Sequence, residues 1–202
     1  QRQMCIRDRL SASRPTLDDW YGTSVAIDGE RAIIGAPHYG PTSDGHGAVY
    51  IVEVPSGNEL LRLELPDAIE GDEFGFAVDL DGTTALIGAP SRHGMGAAYL
   101  FDVSTGALLS QLLPLPFPQF GDRFGASVAL SGPWVVVGAP EADDYSGRNS
   151  EFDSGAVHVF DKETATWLRT LRPDDSTAYD NFGHAVAIDD GVVAVGSPYD
   201  DG

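Results

Sequence analysis

The sequence predicts an all-β fold in which one small antiparallel sheet is built several times over, and three observations predict it. Twenty-four Gly and thirteen Pro punctuate short runs rich in Val, Ile, Leu and Ala, and no segment carries the period of a long amphipathic helix. An aromatic–Gly pair recurs at Tyr21-Gly22, Phe74-Gly75, Phe124-Gly125 and Phe182-Gly183. A Gly-small-Pro triplet follows each pair, at Gly35-Ala36-Pro37, Gly88-Ala89-Pro90, Gly138-Ala139-Pro140 and Gly196-Ser197-Pro198, and the two glycines are 13 residues apart in all four copies. A spacing held fixed four times marks an internal repeat.

The elements follow in order. The first strand of each unit is expected near Ser24–Ile27, Ala77–Leu80, Ser127–Leu130 and Ala185–Ile188. A tight turn follows at Asp28-Gly29, Asp81-Gly82, Ser131-Gly132 and Asp190-Gly191, where Gly supplies the positive φ of short hairpins. The second strand precedes each triplet: Ala32–Ile34, Ala85–Ile87, Trp134–Val137 and Val192–Val195. A third landmark, at Gly47-Ala48, Gly96-Ala97 and Gly155-Ala156, opens the third strand: Ala48–Glu53, Ala97–Asp102 and Ala156–Asp161. The fourth strand is expected over Glu59–Leu65, Ala107–Leu113 and Thr166–Leu171.

The repeat lengths are 53, 50 and 58 residues, and nearly all the variation sits in the connection between strands two and three. Four strands in about 50 residues is the size of a propeller blade, and such a sheet stays dry only when stacked on a neighbour. The prediction is a partial β-propeller of four-stranded antiparallel blades, about three and a half of them. The repeats run over about 18–70, 71–120, 121–178 and a truncated 179–202.

Residues 1–10 stand apart. Met4-Cys5-Ile6-Arg7-Asp8 reads as the translation of ATG-TGT-ATA-AGA-GAC and resembles a transposon end used as a sequencing adapter, so this tail is set aside from the fold. Cys5 is the only cysteine, which removes disulfides and thiolate metal sites from the rest. The net charge of −19 repels phosphate backbones and argues against nucleic acid. No apolar run of about 18 residues exists to span a membrane. The chain reads as a fragment, and the remaining blades of a longer chain are expected partners.

At the aromatic–Gly and Gly-small-Pro landmarks the chain resembles the FG-GAP repeat family, which includes the propeller of integrin α-chains and many surface proteins. The resemblance covers about residues 18–202. It implies that Tyr21, Phe74, Phe124 and Phe182 pack between blades. It implies that Gly35, Gly88, Gly138 and Gly196 allow close backbone approach, and that Pro37, Pro90, Pro140 and Pro198 end the second strand. Integrin-like repeats often carry an Asp-rich calcium loop between strands one and two. Here that connection is a tight hairpin such as Ile27-Asp28-Gly29-Glu30, too short to supply six to eight oxygens. No cofactor is expected, and the resemblance's calcium sites are not supported.

The resemblance places the connections between strands two and three, and between strands four and one, on the ligand-binding face. The expected ligand surface comprises His38, Tyr39, Asp44, His46, Arg92, His93, Phe117, Asp143, Tyr145 and Arg148. Asp143, Asp144, Glu151 and Asp153 are weak candidates for a hard cation, at a spacing that matches no known cage; a solvated acidic loop is the alternative. Alternating Pro in Leu113–Phe120 displays Leu115, Phe117 and Phe120, and this segment is expected to pack over a blade edge. No catalytic residue is expected: no metal-binding His spacing, nucleophile elbow or phosphate loop is present. The functional expectation is a non-catalytic extracellular or cell-surface module engaging a protein or glycan. The alternatives are a propeller portion of a larger secreted hydrolase or lyase, and a structural spacer.

Overall fold

The computed structural model describes residues 10–15, 18–41, 45–115, 119–143 and 152–200. Three four-stranded antiparallel sheets and one two-stranded sheet follow one another along the chain. The first holds β1 (Val25–Asp28), β2 (Arg31–Ala36), β3 (Ala48–Glu53) and β4 (Glu59–Leu63) in sequence order. The second holds β5 (Val78–Asp81), β6 (Thr84–Ala89), β7 (Ala97–Asp102) and β8 (Leu108–Leu112). The third holds β9 (Ser127–Ser131), β10 (Trp134–Ala139), β11 (Ala156–Asp161) and β12 (Trp167–Leu171), and the fourth holds β13 (Ala185–Asp189) and β14 (Val192–Gly196). The first strands pack on one another, β1 on β5, β5 on β9 and β9 on β13, so they line the axis of the propeller.

The second and third sheets are covered on both faces because their strands alternate apolar residues to opposite neighbours. Ile33, Val49 and Ile51 of the first blade face Val78, Ala85, Ile87 and Tyr99 of the second. Leu86, Ala98 and Leu100 face Leu130, Val135 and Val137 of the third. Val136 and Val157 face Val186, Ile188, Val193 and Val195 of the fourth. Leu10 and Ala12 lie against Ile34 and Tyr50 on the other face of the first blade.

Phe74, Phe124 and Phe182 sit in these seams, whereas Tyr21, expected to pack between blades, lies on the outer face of the first blade, where no preceding blade is present. Phe74 lies in the first seam, with its ring 5.8 Å from both Tyr99 and Phe101. Phe124 lies in the second, 5.3 Å from His158 and 6.0 Å from Phe160. Tyr21 meets Tyr50 edge-on at 5.2 Å. Edge-to-face pairs of this kind add about 0.5–1.5 kcal/mol each beyond burial.

The constant spacing has a backbone cause. The amide of each pair glycine donates to the carbonyl of its triplet glycine: Gly22 to Gly35, Gly75 to Gly88 and Gly125 to Gly138 at 2.9 Å, and Gly183 to Gly196 at 3.1 Å. That bond extends the first hairpin of the blade beyond β1 and β2, so the residue count between its ends is set by the ladder.

The triplet glycine also receives the next blade. A Cβ on Gly35 would collide with the carbonyl oxygen of Gly75, one on Gly88 with that of Gly125, and one on Gly138 with that of Gly183. Ser24 and Ser127 fasten the same carbonyls, their hydroxyls donating to Gly75 O at 2.8 Å and Gly183 O at 2.7 Å. Carboxylates on the first strands add further ties. Asp28 accepts from the Gly82 amide at 2.7 Å and Asp79 from the Leu130 amide at 2.6 Å.

The two-residue connections of the first hairpins, such as Gly29-Glu30, leave no room for a loop that wraps a cation. The triplet prolines follow the last residue of β2, β6 and β10, as expected.

Substitution of Gly88 by Ala meets only backbone, which cannot yield, and should cost about 1–3 kcal/mol of stability. The same change at Gly196, where the nearest atom is 3.5 Å away, should fall within about 0.5 kcal/mol of neutral. Thermal unfolding of the two variants distinguishes these outcomes. Val25, Ile27 and Val192 lie exposed on the end blades. Light scattering of the chain alone should therefore give a mass above one copy, and a stable monomer at high concentration would contradict that.

Candidate functional site

Both families of long connections emerge on one face, where the backbone stitches them together. The Phe74 amide donates to His46 O at 3.2 Å, Phe124 to Met95 O at 3.1 Å and Phe182 to Ser154 O at 3.0 Å. These bonds form short parallel bridges, Gly47 with Phe74, Gly96 with Phe124 and Gly155 with Phe182. Gly47, Gly96 and Gly155 have φ of +90°, +89° and +88°, and a Cβ there would strike the aromatic residue's backbone. Each segment entering a blade is thus laid along the loop of the blade before it.

A buried Asp organises every entry segment: Asp19, Asp72, Asp122 and Asp180, each two residues before the aromatic. Asp72 accepts from the Ile69 amide at 2.8 Å and Asp122 from the Gln119 amide at 2.8 Å. Asp180 accepts from Thr177 N at 2.6 Å and Thr177 Oγ1 at 2.7 Å, and Asp19 accepts from Tyr21 N at 3.2 Å. Both neighbours of each Asp are left-handed. Asp18, Gly71, Gly121 and Tyr179 precede it, at φ of 61°, 83°, 102° and 72°. Trp20, Glu73, Arg123 and Asn181 follow it, at φ of 52–59°. Sequence reasoning missed this Asp, although its recurrence before all four aromatics was there to be aligned.

The residue after the Asp is held near the residue after the triplet proline, and the chemistry of the pair changes with the blade. Trp20 stacks on His38 at 3.8 Å and 12°. Glu73 accepts from Ser91 Oγ at 2.6 Å. Arg123 lies 3.5 Å from Glu141 and 3.6 Å from Glu73, bridging two blades, with its guanidinium over the Phe76 ring. Asn181 and Tyr199 line one cleft.

The expected ligand residues divide. His93 is exposed, midway along the connection from β6 to β7, and His38, Tyr39, His46 and Asp143 are half-buried. Tyr39 accepts from Arg62 at 3.0 Å, and His46 Nδ1 lies 3.0 Å from Gly47 O. Arg92 is not on the surface. It is 2% exposed, pairs with the buried Asp72 and reaches Asp67 Oδ2 at 2.8 Å. In this blade the loop supplies the buried carboxylate with a counter-charge. Asp44, Phe117, Asp144, Tyr145, Arg148 and Glu151 lie outside the described residues. Of the cation candidates, Asp143 accepts the Asp153 amide at 2.9 Å, and among the described residues no three acidic, His or Cys groups converge as a metal site would require. Of the Leu113–Phe120 segment, residues 116–118 lie outside the described residues, and Phe120 is not tucked away. Phe120 is 88% exposed, its ring resting on Gly94.

The third blade has no counterpart of Arg92, because the second residue after Pro140 is Ala142. In this blade burial pushes the Asp122 carboxyl up to about 6, Asp143 adding to the rise while the Gln119 amide and Arg172 oppose it. Burial likewise pulls His158 down to about 4, reinforced by Arg172, which donates to Gly155 O and Asp143 O.

Stacked four-stranded blades with both connection families on one face define a β-propeller with a loop-built surface. The FG-GAP repeat profile matches residues 7–52, 58–101, 118–160 and 168–202, and the chain belongs to that family. No curated protein matches. A solved structure of the computationally designed Ika4 protein superposes at a TM-score of 0.60 with 18% identity, over 96% of this chain and 94% of that one, a likeness of fold.

A carboxyl whose folded pKa lies above its unfolded 3.8 holds its proton more firmly when folded. Its contribution to stability is full below pH ~4 and is lost as pH rises through about 6. Asp122→Asn, which keeps an acceptor for Gln119, should raise the melting temperature at pH 7.5, and the gain should vanish near pH 4. A destabilised variant at pH 7.5 would contradict this.

Proposed function

We propose that this chain is a non-catalytic binding module that holds a protein or glycan on its loop face, outside the cell or at its surface. One observation carries the proposal. Five of the six exposed Trp, Phe and Tyr side chains among the described residues (Trp20, Phe120, Phe152, Tyr179 and Tyr199) stand on that face, and only Trp134 does not. Exposed aromatics concentrated on one surface mark recognition, because they bury large area at low entropic cost. The framework beneath them is constant, while the connection lengths and the paired residues at each corner vary from blade to blade. That division suits a scaffold that presents different groups on equivalent positions. The extracellular setting rests on the family's surface proteins, and the acidic surface disfavours polyanionic ligands.

The test is a panel of extracellular proteins and glycans presented to the chain. Each hit is then retested with Trp20→Ala and Phe120→Ala on the loop face and Glu30→Ala on the opposite hairpins. Loop-face variants should lose about tenfold in affinity and the hairpin variant little. Binding that follows the hairpins, or turnover of a substrate, would overturn the reading.

A further inference from the structure

The residue before the buried Asp is left-handed in all four copies, and the second and third copies place Gly there. The fourth places Tyr179, at φ 72°. A bulky side chain in that region is strained, and strain of this kind persists where the side chain has work to do. The Tyr179 ring is not there to fill the core, since it is 61% exposed. Opposite it, the position after the triplet proline, which is His38, Ser91 and Glu141 in the other copies, is Tyr199, 69% exposed. The two tyrosines flank a cleft of about 430 Å³ at the entry to the fourth blade. Exposed Phe152 adjoins it, its carbonyl accepting the Tyr179 amide at 2.8 Å.

The cleft between the rings is polar. Thr177 and Asp180 line it and are locked together by hydrogen bonds. Asn181 donates to Pro140 O at 2.9 Å, which fixes its amide and leaves Oδ1 as an acceptor. Aromatic walls over fixed polar groups suit a ring with apolar C–H faces and a hydroxylated edge. Asp174 and Asp175 are exposed on the same connection, and Arg172 is engaged with backbone carbonyls, so no cation is offered to an anionic ligand.

We infer that the cleft between Tyr179 and Tyr199 is a subsite for one uncharged sugar ring of a glycan. This rests on the loop-face reading and narrows it to one ligand class at one place. The test uses the whole chain with chitobiose, cellobiose and mannobiose as probes, sialyllactose as the anionic comparison, and saturation-transfer NMR with titration as the readout. At least one neutral disaccharide should bind. Tyr199→Ala, beyond the last strand, and Tyr179→Gly, which installs the residue of the second and third copies, should each weaken it about tenfold or more. Tyr179→Gly should do so with an unchanged or higher melting temperature, which a merely structural tyrosine would not give. Preference for sialyllactose, no binding of any neutral probe, or binding indifferent to both tyrosines would overturn the subsite. If a protein ligand is meanwhile lost with Trp20→Ala or Phe120→Ala, the loop-face reading stands without it; if ligands ignore that face altogether, both fall.

Discussion

A carbonyl oxygen from one sheet enters the space where a Cβ of the preceding sheet would be, and the rest of the architecture is arranged around that approach. The triplet glycine makes it possible at Gly35, Gly88 and Gly138, and the pair glycine of the following blade supplies the oxygen. A four-stranded sheet of short strands cannot keep both faces dry alone. Its stability therefore depends on how closely the next sheet can lean on it. The backbone contact sets that distance near the axis, and the aromatic rings of Phe74 and Phe124 fill the seam just outside it. The 13-residue spacing is a consequence: one hydrogen bond joins the two glycines across the first hairpin, and neither end can slip without losing it.

The same constraint explains why variation collects where it does. The strands and the two glycines are held by the stacking, and so is the left-handed pair of residues around each buried Asp. Connection length between the second and third strands is held by none of these, so it ranges freely, as does the identity of side chains at the left-handed corners. Trp20 with His38, Glu73 with Ser91, and Arg123 with Glu141 are three solutions at one geometric position. A face built this way can change its chemistry without changing its frame.

Much of the frame was legible from residue pattern, for identifiable reasons. Third strands came out at their full bounds because a Gly and an Asp or Glu bracket each apolar run. Second strands proved longer than expected: Gly35 and Ala36 remain in the ladder, and it is Pro37 that stops it. Fourth strands proved shorter, with a bulge opposite Val52, Phe101 and Phe160 interrupting the pairing. The loop face was harder to read. A charged residue in a variable loop looks exposed, yet Arg92 is buried against Asp72, twenty residues earlier. Pairing across that separation leaves no periodic trace. Tyr179 and Tyr199 stand out only once the four copies are superposed and the backbone of their counterparts is known.

Native-state hydrogen exchange at the Phe74 and Phe124 amides tests the weld beside the central contact most directly, since each residue immediately precedes the glycine whose carbonyl makes that contact and donates from one blade to the loop of the blade before it. If neighbouring sheets are welded at these corners, both amides will exchange as slowly as those within β6 and β10 and will open together with them. If they exchange as fast as loop amides while the strands stay protected, the blades are independent sheets in loose contact, and the close approach at the triplet glycines does not hold the propeller together.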